Sequence, residues 1–268
     1  MRSLKLAITT SQSQTSILVN RARLIARELE APYIARDGRS LDAISAVHGV
    51  EGMVVVSPKR VSCVTRAGEF FFHPGLARMR INELKAGKTD QMIEAMSISP
   101  GDTVLDCTTG LGTDAIVASF VTGASGRVIG LESSAVIAFL VNSGIAVYPE
   151  VDEGIAAAMR RVQVIHADHR EHLRMLPPGS FDVVYFDPMF RMPGRKSPAI
   201  NVMRSLADPD PIEQETILLA LRVAAKRVVL KEGRNSSEFA RLGFNKIIGG
   251  RYAPIVYGVM NGQGASNG

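Results

Sequence analysis

The chain of 268 residues has only two cysteines, Cys63 and Cys107, and no long apolar run. Two cysteines cannot build a disulfide framework or a metal cage of several thiolates. The longest apolar stretch near the middle of the chain, residues 135–141, is far too short to span a bilayer. The first residues lack the apolar segment of a secretory signal. We therefore expect a cytoplasmic protein without a membrane partner.

Charge separates the function classes only weakly. The sequence has 31 Lys and Arg against 26 Asp and Glu, a net charge of +5 and a pI near 9.4. A modest basic excess fits a polyanionic partner such as RNA, but many enzymes are also mildly basic. The positions of the charges are more informative than their sum.

Short β-branched runs alternate with helical patterns from about residue 103 onward. The predicted strands cover residues 103–107, 127–132, 162–167, 181–186 and 228–231, and the final stretches 244–250 and 255–260 predict an antiparallel hairpin. Continuous apolar strands separated by helices are typical of parallel strands covered on both faces. The expected fold is a doubly wound, mostly parallel, seven-stranded Rossmann-like α/β sheet with an antiparallel edge hairpin.

The N-terminal part has a different pattern, with a short strand, a polar Ser/Thr/Gln run and an amphipathic helix. We predict a small N-terminal α/β domain over residues 1–85 and the larger sheet domain over residues 86–260. Residues 261–268 are small and polar, and a disordered tail is expected there.

A glycine-rich turn follows the first strand of the larger sheet. The pattern Gly110-x-Gly112-x-x-Ala115 comes directly after a buried strand that contains Asp106. Glycines allow a tight turn and close approach to a ligand, and the next helix presents free N–H groups. The same pattern fits a dinucleotide site or a purely structural turn, so it is weak evidence alone.

Acidic residues at the ends of the next two strands strengthen a nucleotide-type site. Glu132 ends the second strand, where a carboxylate can accept both hydroxyl protons of a ribose, and Asp168 follows the third, placed to accept from an adenine amino group. Because ligands of open parallel sheets bind outside the carboxyl ends of the strands, these residues and the glycine turn are expected to converge.

The fourth strand ends in Asp187-Pro188-Met189-Phe190. A carboxylate and a proline-stiffened carbonyl can accept hydrogen bonds from an exocyclic amine, and an aromatic ring can stack on the base. The predicted catalytic residues are therefore Asp187, Pro188 and Phe190, in a methyl transfer that depends on positioning and electrostatics. The alternative is an ordinary strand end followed by a turn.

Taken together, these motifs resemble the RsmJ-type family of bacterial methyltransferases, which act on a guanine N2 of small-subunit ribosomal RNA. The resemblance is carried by residues 106–115, 132–133, 166–169, 183–190, 196–199, 203–204 and 225–231. It implies a methyltransferase domain with S-adenosyl-L-methionine as cofactor. With the turn residues, the predicted cofactor site comprises Asp106, Gly110, Gly112, Thr113, Asp114, Glu132, Ser133, Asp168, His169 and Asp187.

RNA, as ribosomal RNA or a small ribosomal subunit, is the expected partner. The predicted phosphate-binding cations are Arg191, Arg195, Lys196 and Arg204. No metal is expected, although His166, His169 and His172 recur at every third residue, because a fourth ligand is missing from their neighbourhood. An NAD(P)-dependent oxidoreductase and a non-catalytic RNA-binding protein with this fold stay open as alternatives.

Overall fold

The computed structural model describes residues 4–188, 198–208 and 210–263. The first part of the chain forms β1 (Leu6–Thr10), α1 (Ser16–Glu28), α2 (Leu41–His48), β2 (Gly52–Val56), β3 (Val61–Thr65), β4 (Gly68–Phe70), α3 (Gly75–Lys85) and α4 (Gln91–Met96). The remainder forms β5 (Thr103–Asp106), α5 (Thr113–Thr122), β6 (Arg127–Glu132), α6 (Ala135–Val147), α7 (Glu153–Arg161), β7 (Val162–His166), α8 (His169–Met175), β8 (Phe181–Phe186), α9 (Pro198–Leu206), α10 (Gln214–Val223), β9 (Ala224–Gly233), α11 (Glu238–Leu242), β10 (Lys246–Ile248) and β11 (Ile255–Asn261).

The larger sheet contains seven strands in the order β10-β11-β9-β8-β5-β6-β7. Strands β5 to β9 run parallel, whereas β11 pairs antiparallel with both β9 and β10. The predicted Rossmann-like sheet with an antiparallel edge hairpin is confirmed.

Strand β8 lies near the centre of this sheet, and every residue in it except Asp182 is buried. Its Phe181, Val184 and Phe186 belong to a core cluster that also receives side chains of α10 and α11. The Asp182 carboxylate accepts hydrogen bonds from the N–H and the hydroxyl of Thr103, at 2.8 and 2.9 Å, and so fixes the start of β5 against β8. A strand buried on both faces needs the continuous apolar run that the sequence shows.

The smaller sheet has the order β1-β2-β3-β4, with β1 and β2 parallel and the remaining pairs antiparallel. Ala7, Ile34, Ile44 and Met53 form its core cluster beneath α2. Phe70 is fully buried and Phe72 is 6% exposed, so these aromatic side chains build the core.

Contacts between residues group the chain into two compact units. The described residues of one unit lie within Met1–His73, Ser134–Val147 and Pro193–Asp208, and those of the other within Pro74–Ser133, Tyr148–Met192 and Pro209–Gly268. Helices α6 and α9 thus group with the N-terminal strands. The bounds 1–85 and 86–260 stay a prediction, and of the expected tail Asn261 ends β11, whereas residues 264–268 lie outside the described residues. No helix of the described segments has both the length and the apolar character of a membrane span.

Candidate active site

The carboxyl end of β5 leads into the glycine turn. Asp106 ends the strand with 2% of its surface exposed, and its Oδ1 accepts a hydrogen bond from the Thr108 N–H at 3.1 Å. Burial, with the charge of Asp114 adding to it, raises the pKa of Asp106 well above its ordinary value. Gly110 (φ 50°) and Gly112 (φ 73°) have the left-handed backbone that glycine adopts most readily.

The glycine turn packs directly against strand β6. A Cβ on Gly130 would lie 2.3 Å from Thr109 Oγ1, so only glycine allows this close approach. The Glu132 carboxylate ends β6, is 7% exposed, and accepts a hydrogen bond from the Gly110 N–H to Oε2 at 3.1 Å. The second strand end is therefore fixed beside the turn, as predicted from the order of strands.

The Asp168 carboxylate follows β7 and caps α8. It accepts hydrogen bonds from the Arg170 N–H at 2.7 Å and from Arg170 Nε at 3.0 and 3.1 Å. The hydrogen bonds of the Arg170 side chain lower the pKa of Asp168 to about 2. Any adenine amino group would therefore share this carboxylate with Arg170. The neighbouring His169 ring meets the Phe186 ring edge-on, with centroids 5.9 Å apart.

A buried network of charges surrounds the end of β8. Lys231 Nζ lies between two carboxylates, 2.7 Å from Asp187 Oδ2 and 2.9 Å from Asp114 Oδ2. The Tyr185 hydroxyl donates to Asp114 Oδ2 at 2.6 Å, and Arg80 bonds Asp114 Oδ1 on the other side. Arg80 also forms hydrogen bonds of 2.7 and 2.9 Å with Asp90. We call Arg80, Asp90, Asp114, Tyr185, Asp187 and Lys231 the ionic network.

The two acids at Lys231 have opposite pKa shifts. Burial raises the pKa of Asp187 to about 6, with Asp114 adding to the rise and Lys231 opposing it. Burial alone would also raise the pKa of Asp114, but Lys231 and Arg80 hold it below its ordinary value. Burial opposes the charge of Lys231, yet Asp114 and Asp187 raise its pKa. Asp114 is thus the permanent anion, and Asp187 is the member whose protonation can change near neutral pH.

A hydrogen bond joins the network to the glycine turn. The Asp187 N–H donates to Thr108 Oγ1 at 2.6 Å, so the ends of β5 and β8 are tied together. With Glu132 bonded to Gly110, the ends of β5, β6 and β8 form one connected edge. Hydrogen bonds within the chain therefore fix these three strand ends relative to one another.

Comparison with known proteins decides the chemistry. The model of a family described as "Putative SAM-dependent methyltransferase" matches residues 70–250. The chain belongs to the SAM-dependent methyltransferases. The predicted enzyme class and the predicted cofactor, S-adenosyl-L-methionine (SAM), are confirmed, and the oxidoreductase and non-catalytic alternatives are set aside.

Relatives of this methyltransferase agree with the predicted resemblance. "Uncharacterized protein YpiP" of Bacillus subtilis (strain 168) is 38% identical over 254 residues, which cover 94% of this chain and 98% of that protein. "Ribosomal RNA small subunit methyltransferase J" of Laribacter hongkongensis is 35% identical over 169 residues, covering 61% of this chain and 58% of that protein. The chain thus matches little more than half the length of this second relative. The resemblance to the RsmJ-type family is confirmed.

A solved structure shares the fold of this methyltransferase. The SAM-dependent methyltransferase NGO1261 from Neisseria gonorrhoeae superposes with a TM-score of 0.64 at 18% identity, covering 97% of both chains. At that identity the match concerns the fold alone.

The donors and acceptors at the methyltransferase's sheet edge fit the cofactor. SAM carries a carboxylate, which needs N–H donors, and ribose hydroxyls, which need an acceptor. The start of α5 supplies backbone N–H groups, and the buried Glu132 supplies an acceptor beside them. The residues present therefore supply both the donors and the acceptor that SAM needs.

Several predicted residues lie apart from this arrangement or outside the described residues. Phe190, Arg191, Arg195 and Lys196 lie outside the described residues. Arg204 is exposed on α9, which belongs to the unit of the smaller sheet, and its predicted role in RNA binding stays a prediction. Within the described residues, no cluster of three or more His, Cys, Asp or Glu side chains suits a metal ion.

Sequence reasoning missed most of the ionic network. It predicted Asp114 and Asp187 as cofactor residues but did not assign a role to Lys231, which the structure places between the two carboxylates. Arg80 and Asp90 lie before the sheet begins, and no spacing rule links them to residue 187. The one sequence signal was Tyr185, a hydroxyl within an otherwise apolar buried strand, because buried hydroxyls require a partner.

Proposed function

We propose that the chain transfers a methyl group to the exocyclic amino group of a nucleobase, namely guanine N2 in small-subunit ribosomal RNA. The observation that carries the proposal is the partly buried Asp187 carboxylate, fixed by Lys231 at the strand end beside the glycine turn. The name of the Laribacter hongkongensis relative supports a ribosomal RNA substrate. A cytoplasmic location and a small-subunit particle as partner belong to the same proposal.

Asp187 orients the amine in this proposal. Its Oδ2 is held by Lys231, so Oδ1 is the oxygen that accepts a hydrogen bond from the amine N–H. With a pKa of about 6, the carboxylate is mostly ionised at neutral pH and can also take the proton that the amine loses. When bound, SAM supplies an electrophilic methyl group on a sulfonium sulfur.

The remaining predicted residues hold the two ligands. Glu132 accepts from the ribose hydroxyls, and the start of α5 at Thr113 and Asp114 offers its N–H groups to the cofactor carboxylate. Ser133, Asp168 and His169 line the adenine end. Asp114 belongs to the cofactor end of the site, and Lys231 ties it to Asp187.

The target base and its strand complete the proposal. Pro188 stiffens the backbone after Asp187, and Phe190 stacks on the base. Arg191, Arg195, Lys196 and Arg204 neutralise phosphates of the RNA. These cations set affinity and salt dependence, whereas the residues at the carboxyl edge set the reaction.

A methyl-transfer assay tests the proposal. The protein is incubated with tritiated-methyl SAM and either naked ribosomal RNA or purified small subunits, and the labelled nucleosides are separated by chromatography. We expect N2-methylguanosine with one of the two substrates, and labelling at least about a hundredfold slower with an Asp187→Asn variant. Label in a different nucleoside would disprove the guanine N2 target, and full labelling by Asp187→Asn would disprove the role of the carboxylate.

A further inference from the structure

The carboxyl end of β1 in the smaller sheet carries buried polar groups that lack partners. Thr9 and Thr10 are fully buried, and Arg36 is 9% exposed. Within the described residues, the Oγ1 atoms of Thr9 and Thr10, the Oγ of Ser11 and the Nε of Arg36 have no hydrogen-bond partner. A buried polar group without a partner costs free energy, and a buried cation without one costs more. A ligand bound at this strand end would supply the partners.

Backbone contacts bring Arg36 to the end of β1. Ile8 forms a parallel bridge with Tyr33, and the Ile34 N–H donates to the Ile8 carbonyl at 2.8 Å. The chain at Tyr33 and Ile34 therefore runs beside Ile8. Because the bridge is parallel, both chains continue from it in the same direction, with Thr9 to Ser11 on one and Arg36 on the other.

Arg36 is buried, and within the described residues no hydrogen-bond partner of its Nε replaces the water that burial removes. Burial lowers the pKa of Arg36, as expected for a cation that has lost water. The adjacent acid Asp37 is turned to Arg39 instead, with Oδ2 3.7 Å from Nη2. Arg39 in turn donates to the Ala35 carbonyl at 2.8 Å, which keeps a second guanidinium on the same segment.

The surroundings of this strand end favour an anion. The first turn of α1, all of which the structure describes, contains no acid. Its free N–H groups follow the polar loop after β1. The Ser11 N–H donates to the Val56 carbonyl at 2.8 Å, which brings the loop beside the turn at Ser57 that leads to the exposed Lys59. The hydroxyls at the end of β1 are thus followed directly by a helix N-terminus without acidic residues.

We propose that Thr9, Ser11 and Arg36 form a binding site for a phosphate group, which we call the β1 anion site. Guanidinium and hydroxyl donors beside a helix N-terminus match the acceptor oxygens and the charge of a phosphate. The phosphate can belong to an RNA strand or to a free nucleotide. The site does not depend on methyl transfer, so it can fail or hold independently of the function proposed above.

Binding measurements on the full chain test the site. Calorimetry with inorganic phosphate, adenosine 5′-monophosphate and a single-stranded RNA oligonucleotide is compared between the wild type and Arg36→Met. We expect the variant to weaken phosphate binding at least about tenfold. If the variant binds the RNA more weakly, the ligand is a phosphate of an RNA strand. If only inorganic phosphate and adenosine 5′-monophosphate bind more weakly, the ligand is the phosphate of a small molecule. Adenosine, which has no phosphate, should not depend on Arg36.

Control variants separate the site from general charge effects. Arg27→Gln removes an exposed cation from the last turn of α1, at the other end of the helix, and should leave phosphate binding within about twofold of the wild type. Asp187→Asn should lose methyl transfer and keep phosphate binding. Ser11→Ala is the milder variant if Arg36→Met does not fold, and it should still weaken binding.

Thermal unfolding without ligand gives a second, independent readout. Because Arg36 Nε and Thr9 Oγ1 have no hydrogen-bond partner within the described residues, Arg36→Met and Thr9→Val should leave the Tm unchanged or raise it. Phosphate should raise the Tm of the wild type and have less effect on both variants. The proposal would be overturned if none of the three phosphate compounds bound the wild type, if Arg36→Met bound them as tightly, or if that variant without ligand lost several degrees of Tm.

Discussion

The two sheets of the chain differ in whether the polar groups at their strand ends have hydrogen-bond or ion-pair partners. At the end of β8, Lys231 contacts two carboxylates and Asp114 accepts from three residues. At the end of β1, Thr9, Thr10 and Arg36 carry buried atoms without partners in the described chain. The first arrangement is satisfied from within, so it can hold a reacting group in place before substrate binds. The second is incomplete, which is why we expect a ligand there.

The largest expected effect on methyl transfer comes from removing the Asp187 carboxylate at the end of β8. Asp187→Ala should lower kcat by about 10²–10⁴-fold, because a positioned acceptor of the amine proton is lost. Cofactor affinity should stay within about tenfold, or roughly 1.4 kcal/mol. Single-turnover methyl transfer and calorimetry with S-adenosylhomocysteine measure the two quantities. Wild-type turnover in this variant would remove Asp187 from the mechanism.

Removing the shared cation should cost stability as well as activity. Lys231→Met leaves Asp114 and Asp187 as buried acids without their common partner, and breaking a buried ion pair costs about 3–5 kcal/mol. Chemical denaturation gives the free energy of unfolding. The matched control is Lys226→Met. Lys226 also pairs with two acids, Asp102 and Asp182, but its side chain is half exposed, so the loss should cost about 1 kcal/mol or less. Equal losses in the two variants would contradict a special role of the ionic network.

Substitutions of the strand-end acids near the glycine turn should mainly change the affinity for the cofactor. Glu132→Gln keeps the size of the side chain but replaces one acceptor oxygen by a donor, so the affinity for SAM should fall about tenfold or more. Asp168→Asn should have the smaller effect, because Arg170 already occupies that carboxylate. Titration of both variants by calorimetry ranks them. A larger loss in Asp168→Asn would reverse the assignment of the two strand-end acids.

The smallest effect is expected in the smaller sheet, and its sign distinguishes the two regions. Thr9→Val replaces an unpartnered hydroxyl by a methyl group of similar shape, so the free energy of unfolding should rise by about 0–1 kcal/mol. Thr103→Val is the comparison in the larger sheet. The Thr103 hydroxyl donates to Asp182 at 2.9 Å, so its removal should lower the free energy of unfolding. If both changes destabilised equally, the unsatisfied state of Thr9 would be refuted.

Local patterns predicted the strands but not the contacts between them. Residues 127–132 and 181–186 were predicted with the bounds that β6 and β8 have, because continuous β-branched and aromatic runs leave few alternatives. The helix that follows the glycine turn begins at Thr113, because the positive φ of Gly110 and Gly112 belongs to the turn. Helix α7 was not predicted, and its cap, Asp152, was not recognised.

The candidate site was predictable in its outline only. Strand order places Asp106, Glu132 and Asp187 at one edge, and parallel-sheet topology is enough for that inference. The partners of these acids depend on tertiary packing. Arg170 was not expected at Asp168, and Arg80 at Asp114 is separated from its partner by a helix and a strand. The unsatisfied cluster at Arg36 is equally invisible in sequence, since a lack of partners is a property of the folded chain.

The most direct test of the central claim is the pH dependence of kcat/KM for methyl transfer. Asp187 has to be ionised to accept from the amine, and its pKa is raised to about 6. The account predicts that kcat/KM is constant above this value and falls about tenfold per pH unit below it. The acidic limb should be absent from the residual activity of Asp187→Asn. A wild-type profile that stays flat from about pH 5 to 8 would contradict the account.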